Sequence, residues 1–325
     1  MKKWLAGSGI FLLISGCAGT NEETEDNEGS EGTQKQENSE AAEDMVEIEE
    51  SGIESISHIH GLEFDRENPD ILYAATHHGV VLITEDGVWN QPAEAEHQHD
   101  LMGFAVSESN RMVSSGHPSH DSDLGNPLGF MESSDRGETW EQISLQGEVD
   151  FHLFNVNQSD PDTIYGIDGM GNGMMKSEDG GETWEIPELD GLDVEYPDIY
   201  ALLSDPENPE RVLIGASTGI YVSEDGGEAW EAVKKDGTIT SAAAADGKLY
   251  GYLLEEQGSY LAVSNDFGET WEQKNLSFEE DAALHLAIHP EDSEIIAVAT
   301  GEGDLLLTRN DGESWETLAE AGERQ

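Results

Sequence analysis

Histidine is the residue type whose distribution in this chain first points to chemistry. The sequence has 11 histidines, and nine of them lie between His58 and His152. Imidazole is the commonest transition-metal ligand in proteins, and it also exchanges protons near neutral pH. This concentration predicts either a metal site or a site that binds a polar ligand or performs acid–base chemistry.

Zinc and copper are the metals that several imidazoles and a carboxylate would favour. A thioether from Met102 or Met170 would favour copper, because sulfur is a soft ligand. The sequence has no short motif with a known metal-ligand spacing. The metal prediction therefore depends on how the fold brings the histidines together.

The elements that would position these histidines come from a repeat of roughly 41 to 49 residues, the length of a four-stranded propeller blade. Its clearest copy reads SSDRGETW at residues 133–140. Short Ser and Asp side chains can bond to turn backbone, Gly permits a tight turn, and Trp buries a large apolar face. We call this segment the clasp and predict that its acids are structural, namely Asp86, Asp135, Asp179, Asp225, Asp266 and Asp311.

The clasp resembles the Asp-box, or BNR repeat, of sialidases, sortilin-type receptors, photosystem II assembly factors and bacterial proteins named as a glycosylhydrolase family. The resemblance implies an all-β, six-bladed β-propeller over residues 53–320, with the clasp between strands C and D of each blade. A seven-bladed variant with one undetected blade stays open. Because such folds host many functions, the glycosylhydrolase name implies little about a reaction.

Blade topology predicts which residues meet. The D–A and B–C connections of a propeller share one face, here called the upper face, while the A–B turns and the clasps share the lower face. Aligning the first three blades on strand A brings most of the histidines and one acid to the upper face. The predicted ligand or metal-binding residues are His58, His60, His77, His78, His99, Asp100, His117 and His152.

The arginines argue against one enzyme class. A sialidase needs an arginine cluster to grip its substrate carboxylate, yet all six arginines fall in A–B turns, in clasps or in the C-terminal tail. Asp100 and Asp168 remain weak catalytic candidates for another glycoside hydrolase. Three functions stay open: a module that binds a metal or polar ligand, a glycoside hydrolase of non-sialidase type, and a protein-binding assembly scaffold.

The N-terminus predicts a membrane-anchored protein. Lys2 and Lys3 precede an apolar stretch, and Ile14-Ser15-Gly16-Cys17 resembles the lipobox of bacterial lipoproteins. The resemblance implies a signal peptide over residues 1–17 and a lipidated Cys17 at the outer face of a membrane. Residues 18–50 are acidic and nearly devoid of apolar side chains, which predicts a disordered tether.

The formal net charge of −57 limits the partners. Nucleic acids are polyanions, so they are excluded as partners, and membrane contact is expected only through the lipid. The acidity predicts a hydrated surface suited to high salt; a store for calcium or another cation is the alternative, although no EF-hand loop supports it. We predict that the protein is a monomer. A protein or a carbohydrate is a further possible ligand.

Overall fold

The computed structural model describes Ile48 and residues 50–325. Cys17, the predicted signal peptide and nearly all of the predicted tether lie outside the described residues. The described chain forms six antiparallel sheets, one for each blade, which confirms the all-β, six-bladed propeller. Between residues 50 and 325 no segment has the length and hydrophobicity of a membrane-spanning helix.

The first three blades carry the predicted site, and in each the strands follow one another from the central channel outward. Blade one contains β1 (Ile59–Phe64), β2 (Ile71–Thr76), β3 (Gly79–Thr84) and β4 (Trp89–Asn90). A short 3-10 turn, Ala95–His97, leads to blade two, which contains β5 (Asp100–Val106), β6 (Met112–His117), β7 (Phe130–Ser133) and β8 (Glu141–Ser144). Blade three contains β9 (Phe151–Val156), β10 (Ile164–Asp168) and β11 (Gly173–Ser177), and a bridge from Lys176 to Glu185 marks its outer edge.

The last three blades repeat this order. Blade four contains β12 (Ile199–Asp205), β13 (Asn208–Ala216), β14 (Gly219–Ser223) and β15 (Glu231–Lys234). Blade five contains β16 (Gly237–Ala245), β17 (Lys248–Glu255), β18 (Gly258–Ser264) and β19 (Glu272–Gln273). Blade six contains β20 (Ala283–Ile288), β21 (Ile296–Thr300), β22 (Leu305–Thr308), β23 (Glu316–Glu320) and β24 (Glu323–Arg324).

Burial explains why the strands differ in composition. Every residue of β2 is buried, because a second strand is covered on both faces by neighbouring blades. The outer strands β8 and β15 contain no buried residue. Apolar side chains of adjacent blades form a core at each of the six blade interfaces, and these cores hold the ring together.

Within residues 50–325 the ring closes without exchanging a strand between its ends. All five strands of blade six come from the C-terminal part of the chain, so the last blade is complete from its own sequence. Leu62 and Ala74 of blade one pack in the same core as Ala297 and Leu307 of blade six. A bridge between Ser55 and Glu323 adds backbone pairing at this seam.

The clasps are tight turns that side-chain hydrogen bonds hold together. In blade two, Asp135 Oδ1 accepts hydrogen bonds from the Ser133 hydroxyl at 2.7 Å and from the Thr139 N–H at 2.9 Å. The Ser133 oxygen in turn accepts from the Gly137 N–H at 3.0 Å. The clasp carboxylates therefore stabilise the turn.

The sixth clasp corrects one predicted residue. Asn310, and not Asp311, occupies the position of the clasp carboxylate, where it accepts hydrogen bonds from the Thr308 hydroxyl and the Ser314 N–H. Asp311 follows with a φ of 53° and pairs with Lys274 at 2.5 Å. An asparagine fits this position because its amide oxygen can replace the carboxylate as the hydrogen-bond acceptor.

Candidate functional site

Irregular pairing at the start of strand A aims side chains into the channel. In blade one the register shifts between Ile59 and Gly61, so His60 is left unpaired; His152 and Tyr200 take the same position in blades three and four. A β-bulge re-aims the residue it contains. These three side chains and His285 line the mouth of a central cavity of about 120 Å³.

Blade six departs by one residue from the pattern of blades one, three and four. Its register shift lies between Ala283 and His285, so the unpaired residue is Leu284, which is exposed. His285 lies one position further along the strand. Burial lowers the pKa of His285 to about 4, with His60 contributing further, so its imidazole is neutral at pH 7.

Three of the predicted histidines converge at the upper face of blade one. His77 Nε2 lies 3.1 Å from His58 Nδ1 and 3.4 Å from His60 Nε2. One ring nitrogen of each histidine lies within 4.8 Å of the corresponding nitrogens of the other two. Tetrahedral zinc with Zn–N bonds of about 2.0–2.1 Å holds its nitrogens about 3.3 Å apart. The triad of His58, His60 and His77 therefore has the spacing of a metal centre.

The protonation of the triad also suits a metal. Asp100 Oδ1 lies 2.6 Å from His77 Nδ1, so this nitrogen carries the proton and Nε2 keeps its lone pair towards the other two rings. Burial, together with the neighbouring His77, lowers the pKa of His60 to about 4. Its imidazole is therefore neutral at pH 7 and free to act as a ligand.

Removing the carboxylate behind His77 should weaken metal binding without unfolding the blade. We expect Asp100→Ala to reduce zinc affinity about 10- to 100-fold, because an outer-shell partner fixes the ring orientation and tautomer of its histidine. The affinity of Asp100→Asn should fall between those of Asp100→Ala and the wild type, since an amide oxygen can still accept the hydrogen bond from His77 Nδ1–H. Isothermal titration with ZnCl2 measures the affinity. The exposed Asp121→Ala is the matched control, and an Asp100→Ala variant with unchanged affinity would contradict the role of Asp100.

A second group of predicted residues meets at Asp150, outside the triad. Asp150 Oδ2 lies 3.0 Å from His152 Nε2 and 3.6 Å from His117 Nε2. The other nitrogen of each ring is engaged as well: His117 Nδ1 lies 2.8 Å from Asn126 Oδ1, and His152 Nδ1 lies 2.9 Å from the Tyr196 hydroxyl.

Three predicted site residues do not join either group. The side chain of His78 is exposed to solvent. His99 is buried and accepts a hydrogen bond from the Ser119 N–H at 3.2 Å. The carboxylate of Asp168 is buried, and its two oxygens accept hydrogen bonds from the N–H groups of Asp150 and Asn172. Asp168 therefore holds the backbone at Asp150 and Asn172 in place.

Sequence reasoning missed Asn126 and Tyr196. Both follow from the same rule of blade topology, because Asn126 lies in the B–C loop of blade two and Tyr196 in the D–A connection before blade four. Neither residue type is a strong metal ligand, so the sequence carried no chemical signal for them. Their role depends on the histidines that they contact.

The arginines lie away from the histidines of the upper face, as predicted; His289, in the A–B turn of blade six, lies near Arg309 on the lower face. Arg111 Nη2 donates to the carbonyl of Pro161 in an A–B turn, and Arg324 Nη2 donates to that of Gly87 in the first clasp. Each of the six arginines in the described part of the chain lies within ion-pair distance of an acid. The pairs are Arg66–Glu63, Arg111–Glu132, Arg136–Asp65, Arg211–Glu224, Arg309–Glu85 and Arg324–Glu50.

The clasps, the six blades and the channel define a propeller of the BNR type. The family model described as photosynthesis system II assembly factor YCF48 matches residues 92–266, more than half of the chain. This protein belongs to that family. No curated protein is significantly similar to it in sequence.

Solved structures support the same fold. A GH74 enzyme of Niastella koreensis superposes with a TM-score of 0.58 at 16% identity, over 82% of this chain and 46% of the enzyme. A GH74 xyloglucanase from Xanthomonas campestris gives 0.55 at 18% identity, over 83% and 46%. YCF48 bound to a D1 peptide gives 0.50 at 17% identity, over 82% of both chains. This chain thus spans less than half the length of the two GH74 structures, and these similarities show the fold alone.

Proposed function

We propose that this propeller binds a transition metal ion, of which zinc is the simplest case, through His58, His60 and His77. The observation that carries the proposal is the convergence of three imidazole nitrogens, with separations of 3.1 and 3.4 Å from His77 Nε2. The hydrogen bond from His77 to Asp100 supports it, because it holds the tautomer that a metal requires.

The triad would leave one coordination position for another ligand. Three protein ligands around zinc are typical of sites that keep a water or substrate in the fourth position, whereas structural sites have four protein ligands. His58 is exposed, so the fourth position would be accessible from the upper face. This arrangement suits a metal that presents an open position to a polar ligand.

Titration with metal tests the proposal directly. The full chain, freed of metal by a chelator, is titrated with ZnCl2 in the presence of excess Mg²⁺. Magnesium occupies surface carboxylates and leaves imidazoles free, because it is a hard cation that prefers oxygen. We expect saturable zinc binding under these conditions. Loss of all zinc binding when Mg²⁺ is present would show that only surface acids had bound the metal.

We propose further that a lipid on Cys17 anchors the protein at the outer face of a membrane. The support is the resemblance of residues 14–17 to a lipobox, after a short apolar stretch with two lysines before it. The acidic segment that follows would hold the propeller away from an anionic surface.

Replacing Cys17 with serine should release the protein from the membrane. A serine cannot form the thioether that carries the lipid, and lipid chains supply the binding energy of such an anchor. Cell fractionation should therefore find the wild type in the membrane pellet and Cys17→Ser outside it. Ser15→Ala is the control within the same segment. If Cys17→Ser stays in the membrane fraction, a lipid on Cys17 does not anchor the protein.

Peptide or protein binding is a second candidate, and family membership favours it. YCF48, which has the same fold, has been solved with a bound D1 peptide. On the upper face of this chain, Leu284 and the B–C loop residue Met170 are exposed apolar side chains. A glycoside hydrolase has less support, because Asp100 pairs with His77 and Asp168 accepts backbone hydrogen bonds.

A further inference from the structure

We infer that a second transition-metal site lies beside the triad and is formed by His117, His152 and Asp150. This site is separate from the proposed function, which concerns the triad alone. Its starting point is a shared contact: His152 Nε2 lies 3.0 Å and His117 Nε2 lies 3.6 Å from the same oxygen, Asp150 Oδ2. Two imidazoles and one carboxylate are a ligand set that suits zinc or iron(II).

The buried carboxylate of Asp150 needs a positive charge close to it. Its side chain is 7% exposed, and Oδ1 is buried without a hydrogen-bond partner among the described residues. Within residues 50–325 its ion-pair contacts are with the two imidazoles alone, and no Lys or Arg reaches it. A buried carboxylate is costly unless it is paired or coordinates a metal. A metal cation held between Asp150 and the two rings would satisfy this requirement.

The hydrogen bond behind His117 places a lone pair on the nitrogen that faces Asp150. Asn126 Oδ1, 2.8 Å from His117 Nδ1, can only accept, so Nδ1 carries the proton and Nε2 does not in the neutral ring. The lone pair of Nε2 then faces the Asp150 carboxylate at 3.6 Å, which is unfavourable for two acceptors unless the ring takes up a second proton or a metal cation lies between them. This is the same tautomer that Asp100 imposes on His77 in the triad.

Tyr196 can fix the tautomer of His152 in the way that Asn126 fixes that of His117. Its hydroxyl lies 2.9 Å from His152 Nδ1 and can either donate or accept a hydrogen bond. When it accepts from Nδ1–H, His152 Nε2 presents a lone pair towards Asp150, as a metal ligand must. Each of the two imidazoles thus has an orienting partner on its outer nitrogen.

The backbone around Asp150 is held in place before any metal binds. Asp168 Oδ1 accepts the Asp150 N–H at 3.0 Å, and the Gly169 N–H donates to the Asp150 carbonyl at 2.7 Å. The ligand atoms of Asp150, His117 and His152 do not all lie within 4.8 Å of one another, so His117 must move inward to complete the site. Its side chain is 42% exposed, which leaves it room to do so. His60 and His152 line the mouth of the same channel, so both sites would open on one face.

Zinc stoichiometry tests this second site. The full chain is titrated with ZnCl2 in excess Mg²⁺, and bound metal is counted after gel filtration. We expect two zinc ions per wild-type chain, one in Asp150→Asn, one in His77→Ala and none in the double variant. Asp123→Asn, an exposed acid in the same B–C loop as Asn126, is the matched control and should keep both. Thermal melting checks that each variant is folded.

The outcomes separate the two sites. One zinc in the wild type that is lost in His77→Ala but kept in Asp150→Asn would overturn the second site and leave the triad intact. One zinc that is lost in Asp150→Asn and kept in His77→Ala would support the second site and overturn the triad. If Asp150→Asn unfolds, Asn126→Ala replaces it, since this variant weakens the second zinc about 10-fold only when His117 is a ligand.

Discussion

We expect the His77→Ala variant to lose more than about 100-fold in zinc affinity at the triad, because even the loss of an outer-shell partner costs about 10- to 100-fold. His77 Nε2 is the common neighbour of the other two nitrogens, at 3.1 Å from His58 and 3.4 Å from His60. Without it, two imidazoles remain and no longer surround the metal. Isothermal titration with ZnCl2 in excess Mg²⁺ measures the difference.

His78→Ala is the matched control for this experiment. It removes an imidazole from the adjacent residue, whose side chain is exposed and makes no contact with the triad among the described residues. Its zinc affinity should equal that of the wild type. Equal affinities for His77→Ala and His78→Ala would mean that any bound zinc lies elsewhere, and the proposed triad would then be wrong.

The second large effect concerns the fold: we expect Gly181→Ala to destabilise the propeller by about 2–5 kcal/mol. Gly181 has a φ of 94°, a conformation that costs an L-residue about 1–2 kcal/mol. A Cβ there would also lie 2.1 Å from Cε1 of Phe130 in blade two, and such overpacking costs about 1–3 kcal/mol. The clasp cannot withdraw easily, because Trp184 packs against Phe130 and Phe151.

Gly147→Ala separates the two causes. Gly147 also has a positive φ, of 75°, but no atom lies within 4 Å of a Cβ placed there. This variant should therefore show only the conformational cost of about 1–2 kcal/mol. Urea denaturation at fixed salt measures the free energy of unfolding of both. If the two variants lose the same stability, contact between the clasp and blade two contributes nothing.

The histidine face could be predicted from the sequence in part. Aligning strand A placed His60 and His152 at the channel mouth, where the structure has them. In blade six the register of β20 shifts one residue earlier and leaves Leu284 unpaired, so His285 lies one position further along its strand than His60 does. A bulge is a property of strand pairing, and sequence spacing does not reveal on which residue it falls.

The sequence by itself determined the architecture: the repeated clasps predict six blades, and blade topology assigns the arginines and the histidines of the first three blades to opposite faces. Only the tertiary structure divided the histidines into two groups. His77 joins His58 and His60 because Asp100 holds its ring, whereas His117 and His152 turn towards Asp150. His99 turns into the core instead. Ring orientation depends on hydrogen bonds between residues from different blades, and these partners become neighbours only when the propeller closes.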